Sequence, residues 1–400
     1  MEGKVFTEAG SKPQFQWEDP FFLDAQLTDE ERMVRDAASA FASDVLMPRV
    51  IQDFREESFD PAVMREMGQL GLLGPTIPQE FGGAGLGHVA YGVATREIER
   101  IDSGYRSAMS VQSSLVMHPI FSFGSDEQKE KYLPKLATGE IMGCFGLTEP
   151  DHGSNPSGMI SNFKSDGDDV ILNGSKMWIS NSPFADIAVV WAKDENKRIH
   201  GLIVERGMDG FTTPETHNKW SLRASSTGEL IFDNVRVPKK NILPGKSGLG
   251  APLMCLDSAR YGISWGAIGV AMDCYNTALK YSLERVQFGK PIAAKQLQQK
   301  KLAEMLTEIT KAQLLSWKLG KLKNEDKATS AQISLAKRNN VDMAMNIARE
   351  ARQVLGGMGI TGDFSIMRHM MNLESVITYE GTHDIHLLIL GNEITGHNAF

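Results

Sequence analysis

Apolar residues recur at helical spacing in the first third of the chain and again after Gly250. One face of the segment beyond residue 300 carries apolar side chains at a period of 3.6 residues: Leu302, Met305, Leu306, Ile309, Ala312, Leu315 and Leu319. The same pattern predicts helices over 27–48, 89–101 and 330–355. Gly356-Gly357 follows the last of these and supplies a C-terminal stop.

Helix-start signals agree with this pattern. Thr28 is followed three residues later by Glu31, and Ser125 by Gln128. In such a capping box, the two side chains satisfy backbone N–H groups that the first helical turn leaves free. We therefore predict that helices begin just after Thr28 and Ser125.

Between residue 144 and about residue 250 the pattern changes to short apolar runs separated by turn residues. Asn173-Gly174 predicts a hairpin between the runs 170–172 and 176–179. The charged stretch 194–198 separates two further runs, 187–192 and 199–204. Several short strands joined by turns indicate a sandwich or barrel.

The order of these patterns is helical, then β, then helical. This segregation favours an α+β protein over alternating βαβ units. We predict an N-terminal helical domain over 1–143, a middle β-domain over 144–249 and a C-terminal helical region over 250–400.

Composition excludes several classes of protein. The 400 residues include 42 basic and 50 acidic side chains, a net charge of −8, which disfavours sequence-independent binding of nucleic acid. No run approaches about 18 consecutive apolar residues, so no membrane span is expected. Residues 1–24 show no targeting pattern. The three cysteines form no C-x-x-C pair, which favours a reducing compartment and argues against a zinc knuckle or disulfide framework.

Two apparent motifs are set aside. Residues 357–362 match G-x-G-x-x-G, but they follow a predicted helix, whereas a dinucleotide-binding turn follows a strand. His383 and His386 lie near Glu380, but the H-E-x-x-H order is absent, so no metal site is expected.

Four segments carry residues suited to chemistry: 144–154, 178–180, 285–291 and 379–382. The first is rich in glycine and hydroxyls and can offer backbone N–H groups to an anion such as a pyrophosphate. The second segment supplies an aromatic side chain and a hydroxyl, and the third supplies a cation and an aromatic side chain. The last places Glu380 beside Gly381, where another group can approach closely. The residues of any one segment would more often belong to the apolar core or to the solvated surface. The four segments together indicate one site.

These segments and their order resemble the acyl-CoA dehydrogenase family, over nearly the whole chain. Within the family the chain is most similar to the glutaryl-CoA dehydrogenase branch. The most specific stretches are 102–119, 144–150, 259–263 and 378–386. The resemblance implies the three-part fold already described, with a C-terminal four-helix bundle, and a homotetramer.

The resemblance also implies FAD as cofactor. The residues implied to bind it are Phe145, Leu147, Thr148, Gly153, Ser154, Trp178, Ile179, Ser180, Thr382 and Asp384, with Arg285, Phe288, Gln296, Gln353, Gly356 and Gly357 contacting the FAD of a neighbouring subunit. The family usually has Thr at position 180 and Asp at position 155, where this chain has Ser180 and Asn155. Both departures affect the flavin surroundings and not the class of enzyme.

The implied reaction is the oxidative decarboxylation of glutaryl-CoA to crotonyl-CoA and CO2, in the degradation of lysine, tryptophan and aromatic compounds. Glu380 would be the catalytic base and Arg106 would hold the distal carboxylate. The other substrate-binding residues implied are Glu99, Ser107, Ser110, Ser154, Asp257, Arg260, Tyr379 and Gly381. Electrons would pass to electron-transfer flavoprotein.

Three alternatives stay open at this point. The chain could be a non-decarboxylating glutaryl-CoA dehydrogenase, another short-chain acyl-CoA dehydrogenase or oxidase, or a non-enzymatic member of the family. The retained Glu380 and the acidic net charge disfavour the last. The expected location is the cytoplasm of a bacterium, or the mitochondrial matrix if the chain is a trimmed mature form.

Overall fold

The computed structural model describes residues 14–399. Residues 1–13 and Phe400 lie outside the described residues. Residues 1–13 begin the predicted N-terminal domain and make up just over half of the segment 1–24, for which no targeting pattern was predicted. No helix of the described part is both long and apolar enough to cross a membrane. The chain runs from helices through a sheet to helices, which confirms the predicted α+β class.

The N-terminal helices are α1 Asp29–Phe41, α2 Val50–Glu56, α3 Ala62–Gln69, α4 His88–Glu99, α5 Ser103–Ser110, α6 His118–Phe123 and α7 Asp126–Ala137. The strands are β1 Gly143–Gly146, β2 Asn162–Asp166, β3 Asp169–Ser180, β4 Ile187–Lys193, β5 Ile199–Glu205, β6 Phe211–Thr212, β7 Thr227–Pro238, β8 Val286–Gln287 and β9 Lys290–Pro291. The C-terminal helices are α8 Gly250–Glu284, α9 Gln296–Asn324, α10 Ser330–Val354, α11 Ile366–Val376 and α12 His383–Thr395.

Both predicted capping boxes are present. Thr28 accepts from the Glu31 N–H while the Glu31 carboxylate accepts from the Thr28 N–H. Ser125 and Gln128 make the same exchange at the start of α7. The first helix is shorter than predicted, because α1 ends at Phe41 and a π-helical turn, Ala42–Leu46, follows.

The middle strands form one seven-stranded sheet in the order β1-β4-β2-β3-β7-β6, with β5 paired to β4. Strands β4 and β5 pair antiparallel from Ile187↔Glu205 to Lys193↔Ile199, which confirms the turn predicted at 194–198. One face of the curled sheet encloses its own apolar core, and the other contributes Phe145 and Trp191 to a core shared with α6 and α7.

The hairpin predicted at Asn173-Gly174 is wrong. Strand β3 runs through this dipeptide without reversing and pairs along its length with β7. The register changes there, since Leu172 faces Val235 and Gly174 faces Phe232. Two residues of β7 thus oppose Asn173, whose side-chain oxygen accepts from the Asn234 N–H at 2.8 Å. The extra residue makes a β-bulge in β7 opposite Asn173, and a bulged strand bends at that point.

The C-terminal helices pack as a bundle around α8, which contacts α10, α9 and the N-terminal helix α4. Small residues let α4 and α8 approach closely. A Cβ at Gly92 would lie 2.4 Å from the Trp265 indole nitrogen, and one at Gly269 would lie 2.0 Å from the Arg96 carbonyl oxygen. This close packing joins the first and third parts of the chain in one apolar core.

Candidate functional site

The segment 379–381 lies in the connection between α11 and α12. The connection is closed by the His383 N–H, which donates to the Ile377 carbonyl at 3.1 Å. Thr382 then caps α12 by accepting from the Ile385 N–H at 3.2 Å. Glu380 has φ of 53° and Gly381 has φ of 96°. A left-handed glutamate is uncommon, so this backbone is held by its surroundings.

The carboxyl group of Glu380 is buried. Its Oε2 atom has no hydrogen-bond partner among the described residues, and neither has its backbone N–H. Burial raises the pKa of Glu380 above its usual value, although Arg106, Lys337 and Arg260 oppose the rise. A buried carboxyl group with a raised pKa and a free oxygen is suited to accept a proton.

Two helices and the connection between α11 and α12 bring Arg106, Glu99 and Tyr379 together. Arg106 on α5 is completely buried and donates through Nε to the Glu99 carboxylate of α4 at 2.6 Å. Its Nη2 atom donates to the Tyr379 hydroxyl. Burial alone would lower the pKa of Arg106, but the charges of Glu99 and Glu380 raise it, so the guanidinium stays charged.

This buried ion pair is incompletely satisfied. Nη1 of Arg106 and Oε1 of Glu99 have no hydrogen-bond partner within residues 14–399. Buried polar atoms are paired in most native proteins, so a free guanidinium N–H marks a place where a ligand with acceptor oxygens would fit.

Gly266 of α8 permits this arrangement. A Cβ at this position would lie 1.7 Å from Oε2 of Glu99, the oxygen that accepts from Arg106. Any side chain at position 266 would therefore displace the carboxylate. The glycine in α8 is explained by this close approach.

Arg260, also on α8, connects the segment 379–381 to this helix. Its Nε donates to the Glu380 carbonyl at 2.7 Å and its Nη1 to Asp257 at 3.0 Å. Asp257 also accepts from the Ser330 hydroxyl. Ser107 and Ser110 lie buried on α5 beside Arg106, and the Tyr91 hydroxyl lies 3.4 Å from Ser110 Oγ.

A second group of predicted residues lies on the β-domain. Trp178 has φ of 63° and its side chain is 57% exposed, unusual for an indole at the end of a strand. The Met177 N–H donates to the Thr148 carbonyl at 2.9 Å, so the loop after β1 lies beside this end of β3. Gly153 and Ser154 are exposed on that loop, whereas the side chains of Phe145, Leu147 and Ile179 belong to the core.

A buried ion pair fixes the loop after β1. Lys176 of β3 donates to the Glu149 carboxylate at 2.8 Å and to the Leu147 carbonyl at 3.1 Å. The other carboxylate contacts come from the Ile160 and Ser161 N–H groups, at 2.6 and 2.9 Å. Burial lowers the pKa of Lys176 to about 8, with Glu149 opposing the shift.

We expect Lys176→Met to lower the free energy of unfolding by about 3–5 kcal/mol, since it leaves the Glu149 carboxylate buried without its cation. Chemical denaturation measures this loss. The double variant Lys176→Met/Glu149→Gln is the matched control, and it should regain a large part of the stability because no charge stays buried. Equal losses in the two variants would contradict this account of the pair.

A third group of predicted residues is exposed and lies apart from Glu380. Phe288, in the short hairpin of β8 and β9, is 93% exposed. Gln353 at the end of α10 accepts from Lys301 of α9 at 2.9 Å. The remaining members are also exposed: Arg285, Gln296, Gly356 and Gly357. Thr382 and Asp384 lie instead at the start of α12, next to Glu380.

Within residues 14–399, no hydrogen bond or ion pair joins the segment 379–381 to the β-domain group or to the third group. The structure thus brings the predicted substrate-binding residues other than Ser154, together with Thr382 and Asp384, into the surroundings of Glu380. It leaves the other predicted residues in two separate groups.

Sequence reasoning missed two residues beside Glu380. Lys337 of α10 is buried and donates to the carbonyls of Tyr379 and Gly381. A lysine between Ile333 and Val341 on the apolar face of a predicted helix was a readable signal. His386 was considered only as a metal ligand. Both of its ring nitrogens are buried without a partner in the described chain, and burial lowers its pKa to about 2.

Comparison with known families finds three matches in chain order. The acyl-CoA dehydrogenase N-terminal domain matches residues 28–140, the middle domain matches 144–235, and the C-terminal domain matches 246–395.

Individual proteins are similar over nearly the full length. A glutaryl-CoA dehydrogenase from Mycobacterium smegmatis, solved in complex with FADH2, is 48% identical, with a TM-score of 0.93 and coverage of 95% of this chain and 98% of that one. A chain in a structure of the electron transferring flavoprotein of Acidaminococcus fermentans is 36% identical, with a TM-score of 0.90 and coverage of 93% and 99%. The mitochondrial short-chain specific acyl-CoA dehydrogenase of Mus musculus is 35% identical, over 93% of this chain and 92% of its own length.

Proposed function

The chain belongs to the acyl-CoA dehydrogenase family, and from this membership we propose that it catalyses the oxidative decarboxylation of glutaryl-CoA. Its cofactor is FAD. The observation that carries the choice of substrate is the buried Arg106, whose Nη1 atom has no partner in the described chain. Arg106 contacts the hydroxyl of Tyr379, the residue before Glu380, and this position suits a substrate with a second carboxylate.

The residues of the β-domain fit FAD. An exposed indole at Trp178 offers a flat apolar surface to a conjugated ring. The hydroxyls of Thr148 and Ser180 can reach polar atoms of such a ring, and the loop with Gly153 and Ser154 can offer N–H groups to a pyrophosphate. The exposed Arg285, Phe288 and Gln353 would serve the FAD of a neighbouring subunit in a homotetramer. When bound, FAD supplies the acceptor for the hydride that leaves the β-carbon of the substrate.

Glu380 removes the α-proton. The α-carbon of a thioester is weakly acidic, so a base must be positioned next to it. As the proton leaves, negative charge collects on the thioester oxygen and needs a hydrogen-bond donor. The Glu380 N–H has no partner among the described residues and is the donor we assign to this oxygen. The base and this donor then belong to one residue, whose backbone conformation sets their relative direction.

Arg106 binds the distal carboxylate. A buried carboxylate without a counter-ion is costly, and a guanidinium offers it two parallel hydrogen bonds. Loss of that carboxylate as CO2 from the oxidised glutaconyl thioester leaves an electron pair at the γ-carbon, delocalised toward the thioester carbonyl. Protonation of this carbon gives crotonyl-CoA. Electron-transfer flavoprotein is the proposed acceptor of the two electrons removed.

The test is a single anaerobic turnover with glutaryl-CoA labelled in its distal carboxylate. We expect the yellow flavin absorbance to bleach and about one labelled CO2 to be released per bleached flavin. Bleaching without labelled CO2 would contradict decarboxylation and would leave a non-decarboxylating glutaryl-CoA dehydrogenase. A purified protein that binds no flavin would contradict the enzymatic function itself.

A second candidate is a short-chain acyl-CoA dehydrogenase. The similarity to the mouse enzyme over nearly the full chain favours it. An unbranched short acyl chain, however, gives no partner to the free N–H of Arg106, which would stay buried and unsatisfied. Comparison of glutaryl-CoA with butyryl-CoA separates the two candidates.

A further inference from the structure

Lys337 is a buried lysine on the apolar face of α10. The residue is 1% exposed and lies between Ile333 and Val341, which are also buried. Its ammonium group contacts no carboxylate of the described chain within salt-bridge distance. A lysine in such a place needs a reason, because burial of a cation without compensation is costly.

The compensation comes from the backbone around Glu380. Lys337 Nζ donates to the Tyr379 carbonyl at 2.8 Å and to the Gly381 carbonyl at 2.7 Å. Arg260 Nε donates to the carbonyl between them, that of Glu380, at 2.7 Å. Three consecutive carbonyl oxygens thus accept hydrogen bonds from two cations, which belong to two different helices, α10 and α8.

This arrangement accounts for the backbone conformation of the base. Glu380 has φ of 53°, which is uncommon for a residue with a side chain and persists only when neighbouring groups enforce it. Rotation of the Tyr379–Glu380 peptide breaks the hydrogen bond from Lys337, and rotation of the Glu380–Gly381 peptide breaks the one from Arg260. The second bond from Lys337 holds the following peptide through the Gly381 carbonyl. The free N–H and the carboxyl group of Glu380 are thereby kept in fixed directions.

We propose that Lys337 is a positioning residue for Glu380, which fixes the backbone that carries the base through the Tyr379 and Gly381 carbonyls and places a positive charge near its carboxyl group. This proposal rests on the proposed function, since it takes Glu380 as the base.

The charges around Glu380 support the second part. Arg106 of α5, Lys337 of α10 and Arg260 of α8 all favour the carboxylate, while burial and Glu99 of α4 disfavour it. Loss of the Lys337 charge therefore raises the pKa of Glu380 further. Burial lowers the pKa of Lys337, and Arg260 and Arg106 add to this, while Glu380 opposes it. On α12, burial is the main factor that keeps the nearby His383 and His386 largely uncharged at neutral pH.

The test compares Lys337→Gln and Lys337→Met with the unmodified holoenzyme. Gln keeps N–H donors but has no charge, and Met has neither. We expect the acid limb of the pH profile for flavin reduction to move up by about one pH unit in both variants. We expect Met to lose a further 10-fold or more in kcat on the pH plateau, because the base is no longer held, with KM little changed. Arg349→Met on the exposed side of α10 is the matched control and should leave profile and kcat unchanged.

A substrate-free measurement keeps the proposal testable on its own. Infrared titration of the oxidised holoenzyme follows the protonated carboxyl band that Glu380→Gln removes, and its midpoint should rise in Lys337→Gln. An unchanged midpoint and acid limb, together with an unchanged plateau kcat in Lys337→Met, would overturn the proposal. If no acyl-CoA reduces the flavin of the unmodified protein, the proposed function fails, and the infrared midpoint still decides what Lys337 does to Glu380.

Discussion

Glu380→Gln is expected to slow the reduction of bound flavin by glutaryl-CoA by about 10²–10⁴-fold, the usual contribution of a general base. Glutamine has nearly the same shape but cannot take the α-proton. The other carboxylate nearby, Glu99, is held beside Arg106 by the bond from Nε to its Oε2 atom at 2.6 Å, so it cannot move to the position of Glu380. Anaerobic stopped-flow decay of the oxidised flavin absorbance measures the rate.

Two controls make this result specific. Glu380→Gln should keep its full flavin content, because the amide keeps the shape of the carboxyl group and the Oε2 atom has no hydrogen-bond partner among the described residues to lose. In the unmodified enzyme the rate should fall as the pH is lowered through a pKa above the ordinary glutamate value, since burial raises the pKa of Glu380. A Gln variant that retains more than one tenth of the rate would show that another group is the base.

Arg106 is the site of the second large effect. We expect its replacement by glutamine to reduce kcat/KM for glutaryl-CoA by about 10²–10³-fold relative to butyryl-CoA. The distal carboxylate would then be buried without a cation, a loss of about 3–5 kcal/mol when one partner of a buried pair is removed. Butyryl-CoA has no such carboxylate, so its reaction lacks this penalty.

The single variant also leaves Glu99 buried without its partner, so it should be less stable. The double variant Arg106→Gln/Glu99→Gln removes both charges and is the better protein for the comparison. It should keep the butyryl-CoA reaction while the glutaryl-CoA reaction stays impaired. If both substrates lose the same factor in the double variant, Arg106 does not act on the distal carboxylate.

Local signals predicted the helices well, because capping is decided within four residues. Thr28 with Glu31 and Ser125 with Gln128 form the hydrogen bonds that their spacing indicates. The hairpin predicted at Asn173-Gly174 was wrong, because whether this dipeptide forms a turn depends on the strand that pairs with it. Two residues of β7 oppose Asn173, so the dipeptide lies within a continuous strand, opposite a bulge of β7.

The site residues divide in the same way, into those with a local sequence signal and those whose role depends on distant parts of the chain. Arg106 and Glu380 lie in distinctive stretches of sequence and could be singled out directly. Lys337 stands out only as a lysine on an apolar helix face. Its role could not be predicted, because its partners are backbone carbonyls 42 and 44 residues away, and no side-chain pattern records such contacts. Gly266 is similar, since its small size matters only where α8 meets the Glu99 carboxylate of α4.

The central claim is that this chain has a built-in binding place for a second carboxylate next to its base. The ratio of kcat/KM for glutaryl-CoA to that for butyryl-CoA, measured on the unmodified holoenzyme, tests it most directly. The free guanidinium N–H of Arg106 predicts a ratio well above one, of about 10-fold or more, as a charge-assisted hydrogen bond contributes about 1.5–3 kcal/mol. A ratio below one, with butyryl-CoA the better substrate, would contradict the claim.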